Sequence, residues 1–149
     1  MPTLKEKLSE AIKTAMKSGQ KETLGYARNL HAAIRKKEVD DRVDLDDAGI
    51  QKVIMTLAKQ RQDSIDQFKK GGREDLVAAE TAELSFLQSY LPQQLGDDEL
   101  SKLVADAVAE AQATTPKDMG KVMKVLLPKV QGRADGKRIS EFVSKKLQG

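Results

Sequence analysis

Along most of this chain apolar residues recur three or four positions apart, the spacing of one face of a helix. Leu4, Leu8, Ala11, Ile12, Ala15 and Met16 make the first such stripe. Thr3 to Glu6 opens it in the Thr-x-x-Glu form of a capping box, and Gly19 supplies a stop. A second helix is predicted from about Glu22 to Glu38, with Leu24, Ala27, His31 and Ile34 on one side. The acidic stretch Asp40 to Asp47 reads as a loop and the start of the next helix. The third helix is long: Ile50, Val53, Ile54, Leu57, Ile65 and Phe68 follow a buried stripe, and Gly71-Gly72 ends it. A fourth runs from about Arg73 to Leu91 with Leu76, Val77, Leu84, Leu87 and Leu91 inward. Pro92 stops it, because the residue before a proline is pushed out of helical geometry.

The segment Pro92 to Asp98 reads as a hinge, with residues 92–96 as the connection itself. Leu100, Leu103, Val104, Ala107, Val108 and Ala111 then mark a fifth helix, with Asp97 or Asp98 as its cap. Thr115-Pro116 is a start signal, a cap residue followed by a proline at the first helical position. Met119, Val122, Met123, Leu126 and Leu127 form the sixth stripe, which ends near Pro128; Ile139, Phe142, Val143 and Leu147 form a short seventh. No segment alternates with period two long enough to make a strand. The expected fold class is all-α: a four-helix N-terminal domain over residues 1–91 and a small three-helix C-terminal domain over 97–149. A unit of some fifty residues is marginal alone, so the second is expected to lean on its neighbour or on a partner.

Composition narrows the chemistry. The 149 residues include no cysteine and no tryptophan, and only 3% are aromatic, so the core is built of aliphatic side chains and methionine. Disulfides, thiolate metal sites and a cysteine nucleophile are excluded. A single histidine cannot make a multi-histidine metal site; neither a metal nor a cofactor is expected. No apolar run reaches the ~20 residues of a membrane helix, and the N-terminus carries charge throughout, unlike a signal peptide. A cytoplasmic protein without membrane association is the expectation.

Charge is uneven. Residues 1–92 carry 16 Lys/Arg and 15 acids, residues 93–116 one Lys and five acids, and residues 117–149 nine Lys/Arg and three acids. A basic end of net +6 follows an acidic helix of net −4. Lys117, Lys121 and Lys124 are spaced to share one face of helix six, and Lys129, Arg133, Lys137 and Arg138 line the connection to helix seven. Cations beside the free N–H groups of a helix start can hold phosphate. Without interleaved aromatics, single-strand base stacking is not expected; backbone and shape recognition of folded RNA fits better.

Other candidates are weaker. His31 has no indicated carboxylate or hydroxyl partner, and reads as a half-buried histidine. Arg61 falls where the third stripe wants an apolar residue; an inward arginine needs an acid, which Glu80 or Glu83 can provide as a polar lock between helices three and four. The stretch Lys129 to Arg138 holds Gly-x-x-x-Gly, but no strand precedes it and no Ser or Thr follows Lys137, so it is not a nucleotide loop. It reads as a helix–helix turn: Pro128 closes helix six, Gly132 permits a left-handed backbone, Asp135 caps helix seven, and the turn itself does not need its cations.

The order of motifs carries a resemblance over essentially the whole chain. Lys59-Gln60-Arg61-x-Asp63-Ser64 is followed by Tyr90-Leu91-Pro92-Gln93-Gln94-Leu95, then Asp118-Met119-Gly120-Lys121-Val122-Met123, then Pro128-Lys129-Val130-x-Gly132-Arg133-Ala134-Asp135-Gly136. This resembles the YqeY family, the GatB/YqeY-domain proteins. The resemblance implies a four-helix part followed by a three-helix part. It extends to the tail domain of GatB, a subunit of the aspartyl/glutamyl-tRNA amidotransferase, where that domain contacts the tRNA body. Gly120, Lys121, Gly132, Arg133, Ala134 and Asp135 match the tail-domain pattern. The carbon–nitrogen ligase activity with glutamine as amide donor belongs to other parts of that enzyme, so no catalytic residue is carried over. The expected function is an accessory domain binding tRNA or another structured RNA. The alternative is a protein-binding regulator or subunit of an amidotransferase-like complex, using the acidic fifth helix or exposed apolar surface of the small domain.

Overall fold

The computed structural model describes residues 2–148 and divides the chain into two compact units, residues 1–91 and 92–149. Among the described residues every regular element is helical.

The first unit holds α1 (Leu4–Ser18), α2 (Lys21–Asp41), α3 (Asp47–Lys70) and α4 (Glu74–Gln88). Thr3 caps α1 by accepting from the N–H of Glu6, and Gly19 ends it at φ 69° with its N–H on the oxygen of Ala15. The chain then reverses at once, so α1 and α2 form a hairpin. A second contact ties its open end: Asp47, in the first turn of α3, accepts from the N–H of Leu4 at 3.0 Å. Leu4, Leu8, Ala27, Leu30, Ile34, Ile50, Ile54 and Leu87 make one buried core.

Several expectations are corrected here. α2 continues to Asp41, because Arg42 takes the left-handed conformation at φ 55° and sends its N–H to Glu38. His31 lies outside the core and is exposed; the stripe of α2 is completed by Leu30 instead. Met16 is 57% exposed, because α1 is buried only along Leu4, Leu8 and Ala15. α4 ends at Gln88, three residues short of Leu91; the Ser89 hydroxyl donates to the oxygen of Phe86 at 2.6 Å and competes with continued helix.

Arg61 lies where the third stripe is interrupted, with its guanidinium 3.3 Å from Glu80 and 3.4 Å from Glu83 on α4. The polar lock between α3 and α4 is thus formed.

The second unit holds α5 (Asp97–Glu110), a 3-10 turn (Pro116–Asp118), α6 (Met119–Val130) and α7 (Gly136–Gln148). Leu95, Leu100, Val104, Ala107, Val122, Leu126, Val130, Ala134, Ile139, Val143 and Leu147 are buried together. Thr115 and Asp118 form a reciprocal capping box around the proline start. The Asp118 carboxylate also accepts from the N–H of Thr114 at 2.9 Å. These backbone N–H groups hold its carboxyl below the usual aspartate range.

Four details differ from the sequence reading. The cap of α5 is Gly96, not Asp97 or Asp98. α6 runs through Pro128 to Val130; a proline in the last turn removes a single helical bond, and the burial of Val130 outweighs it. Leu127, placed in the sixth stripe, is 46% exposed. Residues 93–95 do not behave as a free connection, because they are bonded to the turn between α6 and α7.

Candidate nucleic-acid interface

The turn between α6 and α7 starts from Gly132, buried at φ 74°, a conformation that favours glycine. Ala134 is 6% exposed and joins the core. Asp135 precedes α7: its main-chain oxygen accepts from Ile139 at 3.0 Å and its carboxylate from the N–H of Lys137 at 3.4 Å. This is the capping role expected of it.

Two of the turn's cations are structural, which corrects the reading that the turn does not need them. The Leu95 N–H donates to the oxygen of Arg133 at 2.8 Å, and the Gln94 side chain donates to the oxygen of Gly132 at 2.7 Å. In return the Arg133 guanidinium donates to the oxygen of Gln93 at 3.1 Å. Arg138 donates to the oxygen of Leu95 at 2.7 Å, pairs with Asp97 and lies 5.5 Å from the centre of the Phe142 ring. The segment after Pro92 is thus stitched to the turn by both arginines.

The acidic helix answers the basic end. Arg138 pairs with Asp97, Lys129 with Glu110 at 3.0 Å, and Arg133 with Glu99 at 4.0 Å. The strong charge asymmetry along the sequence is partly cancelled in space, and α5 spends part of its acidity within its own unit.

What stays outward is the lysine set on the 3-10 turn and α6. Val122, Leu126 and Val130 face the core. Lys121, Lys124 and Pro128 are exposed on the other side, together with Gly120 and the preceding Lys117. Lys121 makes only a long pair of 3.8 Å with Asp118. Lys117, Lys124 and Lys137 are exposed and make no ion pair with a described residue. Sequence reasoning did not single out Lys145 and Lys146, although they lie in the same basic run. The fold sets them beside Phe142 and Ser101 around a shallow hollow of about 350 Å³.

Among the described residues no group of three His, Asp or Glu side chains is placed to hold a metal, and no helix is long and apolar enough to cross a membrane.

Comparison with known proteins gives the chain its place. The profile described as Yqey-like protein matches residues 5–147. A relative from Pyrenophora tritici-repentis is 32% identical over 95% of this chain and 77% of its own length. Relatives from Eremothecium gossypii (36% identical, 56% of this chain, 46% of theirs) and Saccharomyces cerevisiae (29%, 75% and 60%) are similar over shorter spans. The alignment thus spans about half the length of the Eremothecium protein. All three are named "Altered inheritance of mitochondria protein 41, mitochondrial". Those names point to mitochondria and overturn the cytoplasmic expectation. That expectation rested on the charge spread through the first residues of the sequence and on the missing cysteine, and neither feature distinguishes the two compartments. The profile covers nearly the whole chain, and the chain belongs to the YqeY family.

Proposed function

We propose that this protein is an accessory domain that binds tRNA or another structured RNA. The observation that carries this reading is the outward lysine face of the second unit. Lys117, Lys121 and Lys124 project away from the core on consecutive turns, and Lys137 stands exposed at the start of α7. Lysine is a mobile point charge suited to phosphate rather than to reading base edges. The face lacks aromatic side chains, which suits backbone contact with folded RNA better than stacking on single strands. Lys129, Arg133 and Arg138 have partners in their own unit, so they contribute positioning and field more than direct contact.

The test is a titration of the purified protein against tRNA at about 50 and about 200 mM salt. Phosphate-led binding weakens at least roughly tenfold between them, because counterions are released on association. Lys117→Glu with Lys124→Glu, at two exposed positions that make no ion pair with a described residue, should weaken binding further without changing the melting temperature. Undetectable binding at the lower salt, or affinity unchanged by this pair, overturns the reading.

A further inference from the structure

Outside the lysine face, the first unit carries a second surface that the fold leaves unused. A groove of about 370 Å³ runs between α1 and α2. Its floor is apolar, formed by Leu8, Ile12 and Ile34, and its rim carries Lys5, Lys13, His31 and Arg35. The one acid in its lining is Glu38, which is 6% exposed and already committed. Glu38 accepts from the Lys5 ammonium at 2.6 Å and from the Leu45 N–H at 2.9 Å, and lies 3.6 Å from Arg35. Lys13 and His31 have no such partner among the described residues.

Large apolar side chains are exposed towards both ends of the two helices. Met16, at the far end of α1, is 57% exposed; Val39 and Val43, at the close of α2, are 64% and 48% exposed. Val39 and Val43 line an adjoining hollow that shares Arg35 and Glu38 with the groove. Large apolar side chains left in water next to an apolar trough mark an interaction surface.

We propose that the α1–α2 groove is a docking site for an amphipathic, acidic helix of a partner protein. The groove lies between two helices, and α1 alone has 15 residues, about 22 Å of length at ~1.5 Å per residue. A third helix of four turns laid along it would set its apolar side on Ile12 and Met16, spaced four apart, above the buried Leu8. Acids on the flanks of that helix would meet Lys13 and Arg35, on a groove whose lining carries the cations Lys5, Lys13 and Arg35 against the single acid Glu38. RNA does not suit this surface, since an apolar floor gives phosphate and ribose nothing to bond. The site is separate from the lysines of α6, so its test does not depend on the RNA reading.

The experiment uses the full chain and a fluorescent peptide of about five helical turns, with leucine on one face and glutamate on the other. Anisotropy should show saturable binding. A shuffled peptide of the same composition and a lysine-for-glutamate peptide should not bind. Lys13→Glu with His31→Glu should weaken binding roughly tenfold, and so should Met16→Asp, which tests the apolar part. All three positions are solvent-facing, and unchanged circular dichroism would confirm that the variants fold. Amide shifts on titration should be confined to α1 and α2. No binding, equal binding of the lysine peptide, or shifts centred on α6 would overturn the proposal. So would displacement of the peptide by tRNA. Sedimentation showing a dimer of the free protein that these substitutions break would assign the groove to a second copy, and would overturn it too.

Discussion

The guanidinium of Arg138, on α7, donates at 2.7 Å to the main-chain oxygen of Leu95, which lies 43 residues earlier. Leu95 is 3% exposed and its N–H reaches the oxygen of Arg133. Arg138 therefore holds a buried leucine in the core of its unit from the outside. Arg138→Ala is expected to cost about 1.5–3 kcal/mol, the usual worth of a hydrogen bond from a charged group. Hydrogen exchange at the Leu95 amide should accelerate with it. Arg138→Lys should recover only part of the loss, since an ammonium cannot span the Leu95 oxygen and the Asp97 carboxylate as a planar fork does. Unchanged exchange at Leu95 would refute this account.

Arg61 between Glu80 and Glu83 offers a test of sign. All three side chains are mostly buried, with 29%, 21% and 13% of the side-chain surface exposed. Removing the arginine alone leaves two acids facing one another. Arg61→Ala should therefore destabilise by roughly 1–2 kcal/mol, less than a fully buried pair because water still reaches it. Replacing the group together, as Arg61→Met with Glu80→Gln and Glu83→Leu, should cost less than Arg61→Ala. Urea denaturation of the wild type and these two variants decides it.

Glu38 predicts an acid limb. The hydrogen bond from Lys5, then that from the Leu45 N–H, hold its carboxyl below the usual glutamate range. A lowered folded value means the unfolded chain takes up the proton first. The stabilisation is thus complete above the ordinary value of about 4.3 and is lost as pH falls through the lowered one. Asp118 acts in the same direction through Thr114 and Thr115. Glu38→Gln should be less stable than the wild type near neutrality, and the gap should narrow towards pH 3. A gap that stays constant with pH would remove the electrostatic explanation.

Two glycines should respond in opposite ways to alanine. Gly132 sits at φ 74°, so Gly132→Ala should cost about 1 kcal/mol or more. Gly120 lies in the first turn of α6 with nothing within 4 Å of an added Cβ, so Gly120→Ala should stabilise by up to about 1 kcal/mol. If Gly120→Ala also weakens tRNA binding, the helix backbone itself approaches phosphate. Thermal melts and the same titration read both effects.

Local signals made most of the architecture legible. The stripes of α3 and α7, the Thr3 cap, the Gly19 stop and the Thr115-Pro116 start are each written within one or two turns of chain. A helix needs only its own periodicity and caps to be recognised. Even the Arg61 lock was readable, because a charge interrupting an apolar stripe demands an acid on the neighbouring helix.

The uses of charge were not legible in that way. Which helix faces stay in water depends on how many neighbours cover them, and α1 and α2 have too few to cover Met16 or His31. Whether a cation is free or spent depends on contacts between residues far apart in sequence. By itself the sequence determined seven helices, several of their caps, among them Thr3 and Gly19, and a basic end behind an acidic one. Only the tertiary structure decided that Asp97, Glu99 and Glu110 turn towards Arg138, Arg133 and Lys129, leaving Lys117, Lys121, Lys124 and Lys137 outward. The physical reason is that opposite charges attract across space, while periodicity reports only which face of one helix is apolar.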